Sequence, residues 1–188
     1  MRHGIAAVCA VMTVSSAVAC GPAPGVGSAP PADELPSPVP VPADAEGPFP
    51  VSRVIDGDTV AILRDSSEVK IRMLGLDTPE TEDPRTPVQC FGAEAAHHAT
   101  QLLAHKRVLV RPDPSQDRTD RYGRLLAYVW VDGALFNLDQ IAQGFGYEYT
   151  YSPSHPYRFQ REFRAAARYA RAHHLGLWNP ATCNGVTD

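Results

Sequence analysis

The sequence predicts an α+β domain of five short strands and three helices, carried behind an N-terminal extension of different character. Three observations predict it. Apolar residues alternate with polar ones in short runs bounded by Asp-Gly and Asp-Ser turn signals. Separate runs repeat apolar residues at three- and four-residue spacing. Prolines crowd the region before residue 46, where no aromatic appears between 20 and 46. At 188 residues the chain holds one ordinary domain plus extensions.

Taken in order, residues 1–19 read as an export signal. Arg2 and His3 precede an apolar stretch over 5–14, too short to span a bilayer but suited to a signal core. Ala17-Val18-Ala19 is a small-x-small cleavage site, and Cys20-Gly21 after it resembles a bacterial lipobox, with Ala17 where leucine is more usual. Lipidation of Cys20 would anchor the mature protein to a membrane as a surface lipoprotein; without it the protein is secreted. Residues 20–46 read as a linker, because Pro22, Pro24, Pro30, Pro31, Pro36, Pro38, Pro40 and Pro42 favour extended, semi-rigid backbone without a core. The folded domain is expected over 47–188.

Strands are expected over 51–55, 59–63 and 69–74, with turns at Asp56-Gly57 and at Asp65-Ser66-Ser67. In the third, Val69, Ile71 and Met73 share one face, so Arg72 points away from the larger apolar set. A helix follows over 93–105, with Ala95, Ala96, Ala99, Leu102 and Leu103 as its stripe. Strands are expected at 107–111 and 124–131, the latter ended by Asp132-Gly133. Helices over 137–143 and 156–174 complete the order, with Ser154 as a candidate N-cap and Gly176 as a stop. Five short strands with interposed helices suit a small closed Greek-key barrel of oligonucleotide-binding (OB-fold) type. The periodicity fits another α+β arrangement equally.

Charge excludes a polycation that coats nucleic acid. The chain has 17 Lys and Arg against 21 Asp and Glu, a formal net charge of −4. Arg2, Asp33, Glu34, Asp44 and Glu46 lie in the first 46 residues, which leaves 16 basic against 17 acidic residues in the rest. Non-specific affinity for DNA scales with the phosphates neutralised, so any action on nucleic acid rests on local basic positions.

Three strings supply those positions. They are Asp56-Gly57-Asp58-Thr59, then Arg72 with Asp77-Thr78-Pro79-Glu80, then Arg118-Thr119-Asp120-Arg121-Tyr122-Gly123-Arg124. Each alone reads as a turn, a helix start or an arginine-rich loop. Together they offer carboxylates suited to a hard, oxygen-seeking cation such as Ca²⁺. They also offer two planar guanidinium forks for a phosphodiester and for charge that grows in its transition state.

In this order, and over about 51–178, the strings resemble the staphylococcal nuclease (thermonuclease) family. That resemblance implies the barrel, three helices and a Ca²⁺-dependent nuclease acting on DNA, with RNA as a candidate second substrate. It implies Asp58 and Asp77 as Ca²⁺ ligands, with the Thr78 carbonyl as a third. Glu80 is implied as general base or water-orienting group, and Arg72 and Arg124 as the phosphate clamp. Tyr122 matches a tyrosine at a nucleotide phosphate, Arg121 stands where the archetype has lysine, and Tyr149 and Tyr151 match a pair near the nucleotide pocket. Cleavage at the 5′-oxygen side, leaving 3′-phosphates, follows from the same resemblance. A monomer without an obligate protein partner is expected. The rival is a barrel of this type that binds nucleic acid or envelope polymers without hydrolysis.

Cysteine count adds one expectation. Cys9 leaves with the signal, and if Cys20 is acylated, Cys90 and Cys183 remain as an even pair in an oxidising compartment, where a disulfide is expected. Two unpaired buried thiols are the alternative. Arg158, Arg161, Arg164, Arg168 and Arg171 share one face of the last helix, either as a solvated surface or as an auxiliary contact to anionic polymers.

Overall fold

The computed structural model describes Met1 and residues 34–81 and 87–187. The export signal, Cys20 and the first part of the linker lie outside the described residues. A β-barrel forms from β1 (Glu46–Val54), β2 (Thr59–Arg64), β3 (Ser67–Met73), β5 (Arg107–Pro112) and β6 (Leu125–Val131), with a short β7 (Ala134–Leu135) beside β6. Neighbours run antiparallel in the order β3-β2-β1-β5-β6-β7. The barrel then closes by a parallel seam that sets Ile71, Arg72 and Met73 opposite Leu125, Leu126 and Ala127. Closure leaves neither β3 nor β6 as an open edge.

The alternation read from the sequence explains the interior. Val60, Ile62, Ile71, Met73, Val108, Val110, Ala127 and Val129 share the inner face and are buried, while Tyr128 and Trp130, on the opposite face of β6, are buried against Phe159. The β2–β3 turn places Asp65 and Ser66 at positive φ, and the β6–β7 turn does the same with Asp132 and Gly133. Two successive residues at positive φ give the twist that matches a hairpin.

Three helices pack around the barrel: α1 (Gly92–Leu103), α2 (Phe136–Ala142) and α3 (Gln160–Ala172). A small ladder joins β4 (Leu76–Asp77) to β8 (Tyr147–Glu148) and holds Asp77 opposite Tyr147. Gly75 lets the chain turn sharply into β4 at φ 74°, where a Cβ would meet Tyr157 and Phe163 at 2.7 Å. Asn137 on α2 fixes the end of the barrel, donating to the Leu74 carbonyl at 2.9 Å and accepting the Val129 N–H at 3.0 Å.

Three sequence-based expectations need correction. The domain does not begin at 47, because β1 already includes Glu46 and residues ahead of it are docked. Val39 is a core residue, its carbonyl accepts the Trp130 indole N–H at 3.1 Å, and Asp44 pairs with Arg111 at 2.8 Å. Ser154 does not cap α3; its Oγ lies 3.0 Å from His155 Nδ1. The helix starts at Gln160 rather than 156, because Arg158 N–H is held at 2.7 Å by the Asp113 carboxylate outside any helical pattern. Cys90 and Cys183 form the expected disulfide, with Cα atoms 5.9 Å apart.

Candidate functional site

Asp58 leads into β2 from the turn after β1, and is only 5% exposed. Its backbone N–H donates to Asp56 Oδ1 at 3.0 Å. Its carboxylate accepts the Thr59 hydroxyl at 2.9 Å and the Thr78 N–H at 3.1 Å. Arg72, on β3, reaches the same carboxylate: its Nη2 lies 3.0 Å from Asp58 Oδ2 and 2.6 Å from Asp77 Oδ1. Its Nη1 donates to the carbonyls of Met73, at 3.0 Å, and Leu76. One guanidinium therefore ties β3, the turn into β4 and the β2 entrance together.

Arg124 stands at the mouth of β6. Asp120 fixes it twice, accepting the Arg124 backbone N–H at 2.9 Å and the Nε–H at 2.7 Å. Burial opposes ionisation of Asp120, but these bonds and the Tyr122 N–H hold its carboxyl below the ordinary range. Arg124 Nη1 then reaches Thr59 Oγ1 at 3.3 Å, next to Asp58. The chain makes this loop by way of Gly123 at φ 75°, whose N–H closes onto the Asp120 carbonyl at 3.0 Å.

Glu80 is anchored at its backbone. Its N–H donates to Gln89 Oε1 at 2.8 Å, and its carbonyl accepts the Gln89 N–H at 3.0 Å. Glu80 Oε1 accepts the Thr81 N–H at 2.8 Å. The next residue after Gln89 is Cys90, so the disulfide to Cys183 secures this segment to the C-terminal tail.

These groups meet in a cavity of about 170 Å³ lined by Asp56, Asp58, Arg72, Asp77, Thr78, Pro79, Glu80 and Arg124. Four carboxylates face two guanidiniums there. Burial pushes the Asp77 carboxyl up to about 6, against the pull of Arg72. Burial, with the charge of Asp58 beside it, pushes Asp56 up to about 7. The donor set is hard oxygen throughout, the kind Ca²⁺ accepts together with water. Among the described residues no three His, Cys, Asp or Glu groups are arranged to hold an ion unaided. The two carboxylates joined through Arg72 Nη2, with Thr78 beside them, still fit a cation that completes its shell with water.

A larger cavity, about 580 Å³, adjoins the first through Arg72, Asp77 and Arg124. Arg121, Tyr122, Tyr149, Tyr151 and Tyr157 line it. Tyr122 is 65% exposed and Tyr151 81%. Arg121 lies over the Tyr122 ring at 4.8 Å and donates to its hydroxyl at 2.7 Å. Tyr157, by contrast, is buried and donates to Glu148 at 2.9 Å, which makes it a wall of the cavity.

The structure thus brings Asp58, Arg72, Asp77, Thr78, Glu80 and Arg124 to one cavity and Arg121, Tyr122, Tyr149 and Tyr151 to the next. Sequence reading missed Asp56, taken there as a turn residue, and Asp120, which aims Arg124. The four-residue spacing from Asp120 to Arg124 was the available signal for the second. Of the five arginines, Arg158 precedes α3, and Arg158, Arg161, Arg164 and Arg171 are exposed; Arg164 pairs with Glu148 at 3.5 Å, and Arg171 lies over Trp178 at 4.3 Å.

A closed five-stranded barrel with its charged cleft at one end is an oligonucleotide-binding-type architecture. Residues 70–180 match the family described as staphylococcal nuclease homologue. Thermonuclease from Staphylococcus intermedius is 38% identical over 128 residues, covering 68% of this chain and 74% of the relative. Thermonuclease from Staphylococcus hyicus is 37% identical over 131 residues, covering 70% and 75%. Endonuclease YncB of Bacillus subtilis (strain 168) is 35% identical over 130 residues, covering 69% and 60%. The chain belongs to the staphylococcal nuclease family.

Proposed function

We propose that this protein is a Ca²⁺-dependent nuclease that hydrolyses DNA, with RNA as a candidate second substrate, to leave 3′-phosphates. The observation that carries this reading is the convergence of Asp58, Asp77, Glu80, Arg72 and Arg124 on one cavity that opens into a tyrosine-lined one. Relatives named thermonuclease and endonuclease add support.

Asp58, Asp77 and the Thr78 carbonyl would hold the cation. When bound, it would supply Lewis-acid polarisation of a non-bridging phosphate oxygen. Glu80 orients a water in line with the scissile bond and takes its proton. An O–P bond forms, the bond from phosphorus to the 5′-oxygen breaks, and that oxygen leaves with a proton. Arg72 and Arg124 bear on the equatorial oxygens, where charge accumulates, with forks already aimed by Met73, Leu76, Asp120 and Thr59. Tyr122, Tyr149 and Tyr151 offer faces to unpaired bases, which favours single-stranded substrate with little sequence preference.

The N-terminal sequence supports export, and mass added at Cys20 in protein isolated from membranes would establish the lipid anchor. The test of the activity is hydrolysis of denatured DNA by the purified protein, with Ca²⁺ or with chelator. Cutting should require Ca²⁺, leave 3′-phosphate ends, and fall about 10²–10⁴-fold in Glu80→Gln, the range for losing a general base. No cutting by folded, disulfide-intact protein would sink the nuclease reading in favour of a binding module.

A further inference from the structure

Behind the charged cavity lies a polar cluster that the proposed chemistry does not use. Gln140, on α2, is 0% exposed, yet every hydrogen-bonding group of its side chain is engaged. Its amide nitrogen donates to two carbonyls, Gly57 and Ala95, each at 3.1 Å. Two carbonyls cannot be met by an amide oxygen, so the orientation of the Gln140 amide is fixed. Its oxygen must then face His98 Nδ1, 2.5 Å away, and that ring nitrogen must carry the hydrogen. The His98 ring lies flat on Phe145, with centroids 4.0 Å apart and planes 6° from parallel. The Phe145 N–H returns to the Gln140 carbonyl at 2.9 Å.

The important partner is Gly57. The peptide unit between Gly57 and Asp58 has two polar ends, and both are held. Its carbonyl accepts from Gln140 at 3.1 Å, and its N–H, belonging to Asp58, donates to Asp56 Oδ1 at 3.0 Å. That unit leads directly into the Cα that carries the Asp58 carboxylate. Space around it is also closed: a Cβ at Gly57 would stand 2.8 Å from Thr78 Cγ2 and Oγ1 and 3.0 Å from Ala95 Cβ.

We infer that Gln140, oriented by His98, is a positioning residue that sets the aim of the Asp58 carboxylate and thereby the affinity of the cavity for Ca²⁺. The inference rests on the proposed cation at Asp58 and Asp77. Without the Gln140 amide, the Gly57 carbonyl loses its buried donor and the peptide unit keeps only the Asp56 bond, so its tilt is less closely set. The carboxylate then presents its oxygens to Arg72, Thr78 and an incoming cation with poorer geometry. Groups that orient metal ligands typically change affinity by about 10–100-fold.

The test is calorimetric titration of Ca²⁺ alone into the purified full-length protein, wild type, Gln140→Leu and His98→Phe. Leucine fills the site without a donor. Phenylalanine keeps a ring on Phe145 while depriving the Gln140 oxygen of its partner. Ca²⁺ Kd should rise about 10-fold or more in Gln140→Leu, with a smaller rise in the same direction for His98→Phe. In the cutting assay the Ca²⁺ needed for half-maximal rate should rise while KM for DNA at saturating Ca²⁺ stays unchanged. A merely structural role would lower the unfolding temperature and leave Kd where it was. Wild-type Kd in folded Gln140→Leu overturns the inference; if that variant does not fold, wild-type Kd in His98→Phe overturns it. Absence of Ca²⁺ binding by the wild type would instead defeat the underlying Ca²⁺ reading, a result distinct from equal binding by all three proteins.

Discussion

Asp113 is a carboxylate with four donors around it: the Tyr128 hydroxyl and the Arg158 N–H at 2.7 Å each, Ser115 Oγ at 2.9 Å and Ser115 N–H at 3.0 Å. It is 4% exposed. Burial opposes its charge, but the bonds outweigh that and hold the carboxyl below its ordinary value of 3.8. A carboxylate depressed in the folded state stabilises above its unfolded pKa and loses that contribution as pH falls through its folded pKa. Asp113→Ala should cost about 2–3 kcal/mol at neutral pH, since it leaves buried donors unmatched. The deficit relative to wild type should shrink on acidification below about pH 4; denaturant midpoints at pH 7 and pH 3 check it, and an undiminished deficit would refute the linkage. Legibility at this scale follows residue type. Asp58, Arg72, Asp77, Glu80 and Arg124 carry chemistry in their side chains and sit in dense strings, so the sequence exposes them. Asp113 and Gln140 matter through partners far along the chain, and no local pattern distinguishes them from surface polar residues.

At the scale of elements, the strap before β1 departs furthest from the sequence reading. Proline-rich composition signals extended backbone, and extended backbone is what docks here, but composition says nothing about what Val39 touches. The strap lays Val39 into the core, meets Trp130 Nε1 and brings Asp44 to Arg111. Starting the chain at 47 instead of 34 should cost about 3 kcal/mol, from one valine's burial and one indole hydrogen bond. Urea unfolding of the two lengths measures this; equal midpoints would mean the strap is only laid on the surface. Alternation made β3 legible and helical spacing made α1 so, whereas β2 and β6 were legible as short apolar runs that end at turn signals. The start of α3 was not, since Asp113 captures the Arg158 N–H from a distant loop.

For the whole molecule, the Cys90–Cys183 link joins residues 93 apart in sequence. Cross-linking a loop of that length removes about 4–5 kcal/mol of freedom from the unfolded chain, less any strain. Treatment with a phosphine reductant should therefore lower the unfolding free energy by up to about that amount. Cys90→Ser/Cys183→Ser should reproduce the loss, and an unmoved denaturation curve would remove the bridge from the account of stability. The even pairing of cysteines was readable from their count; its place beside the Glu80–Gln89 contact was not.

The parallel seam between β3 and β6 has a consequence for two arginines. Arg72 stands on one side of that seam and Arg124 on the other, at the mouth of β6. Neither local hairpin, β2 with β3 or β5 with β6, contains both. Joining β1 to β5 still leaves the pair at opposite margins of an open ribbon. Only when the ribbon curls shut do the two guanidiniums face the same space. The meeting of the two guanidiniums is therefore a property of the closed barrel and of no smaller piece of it.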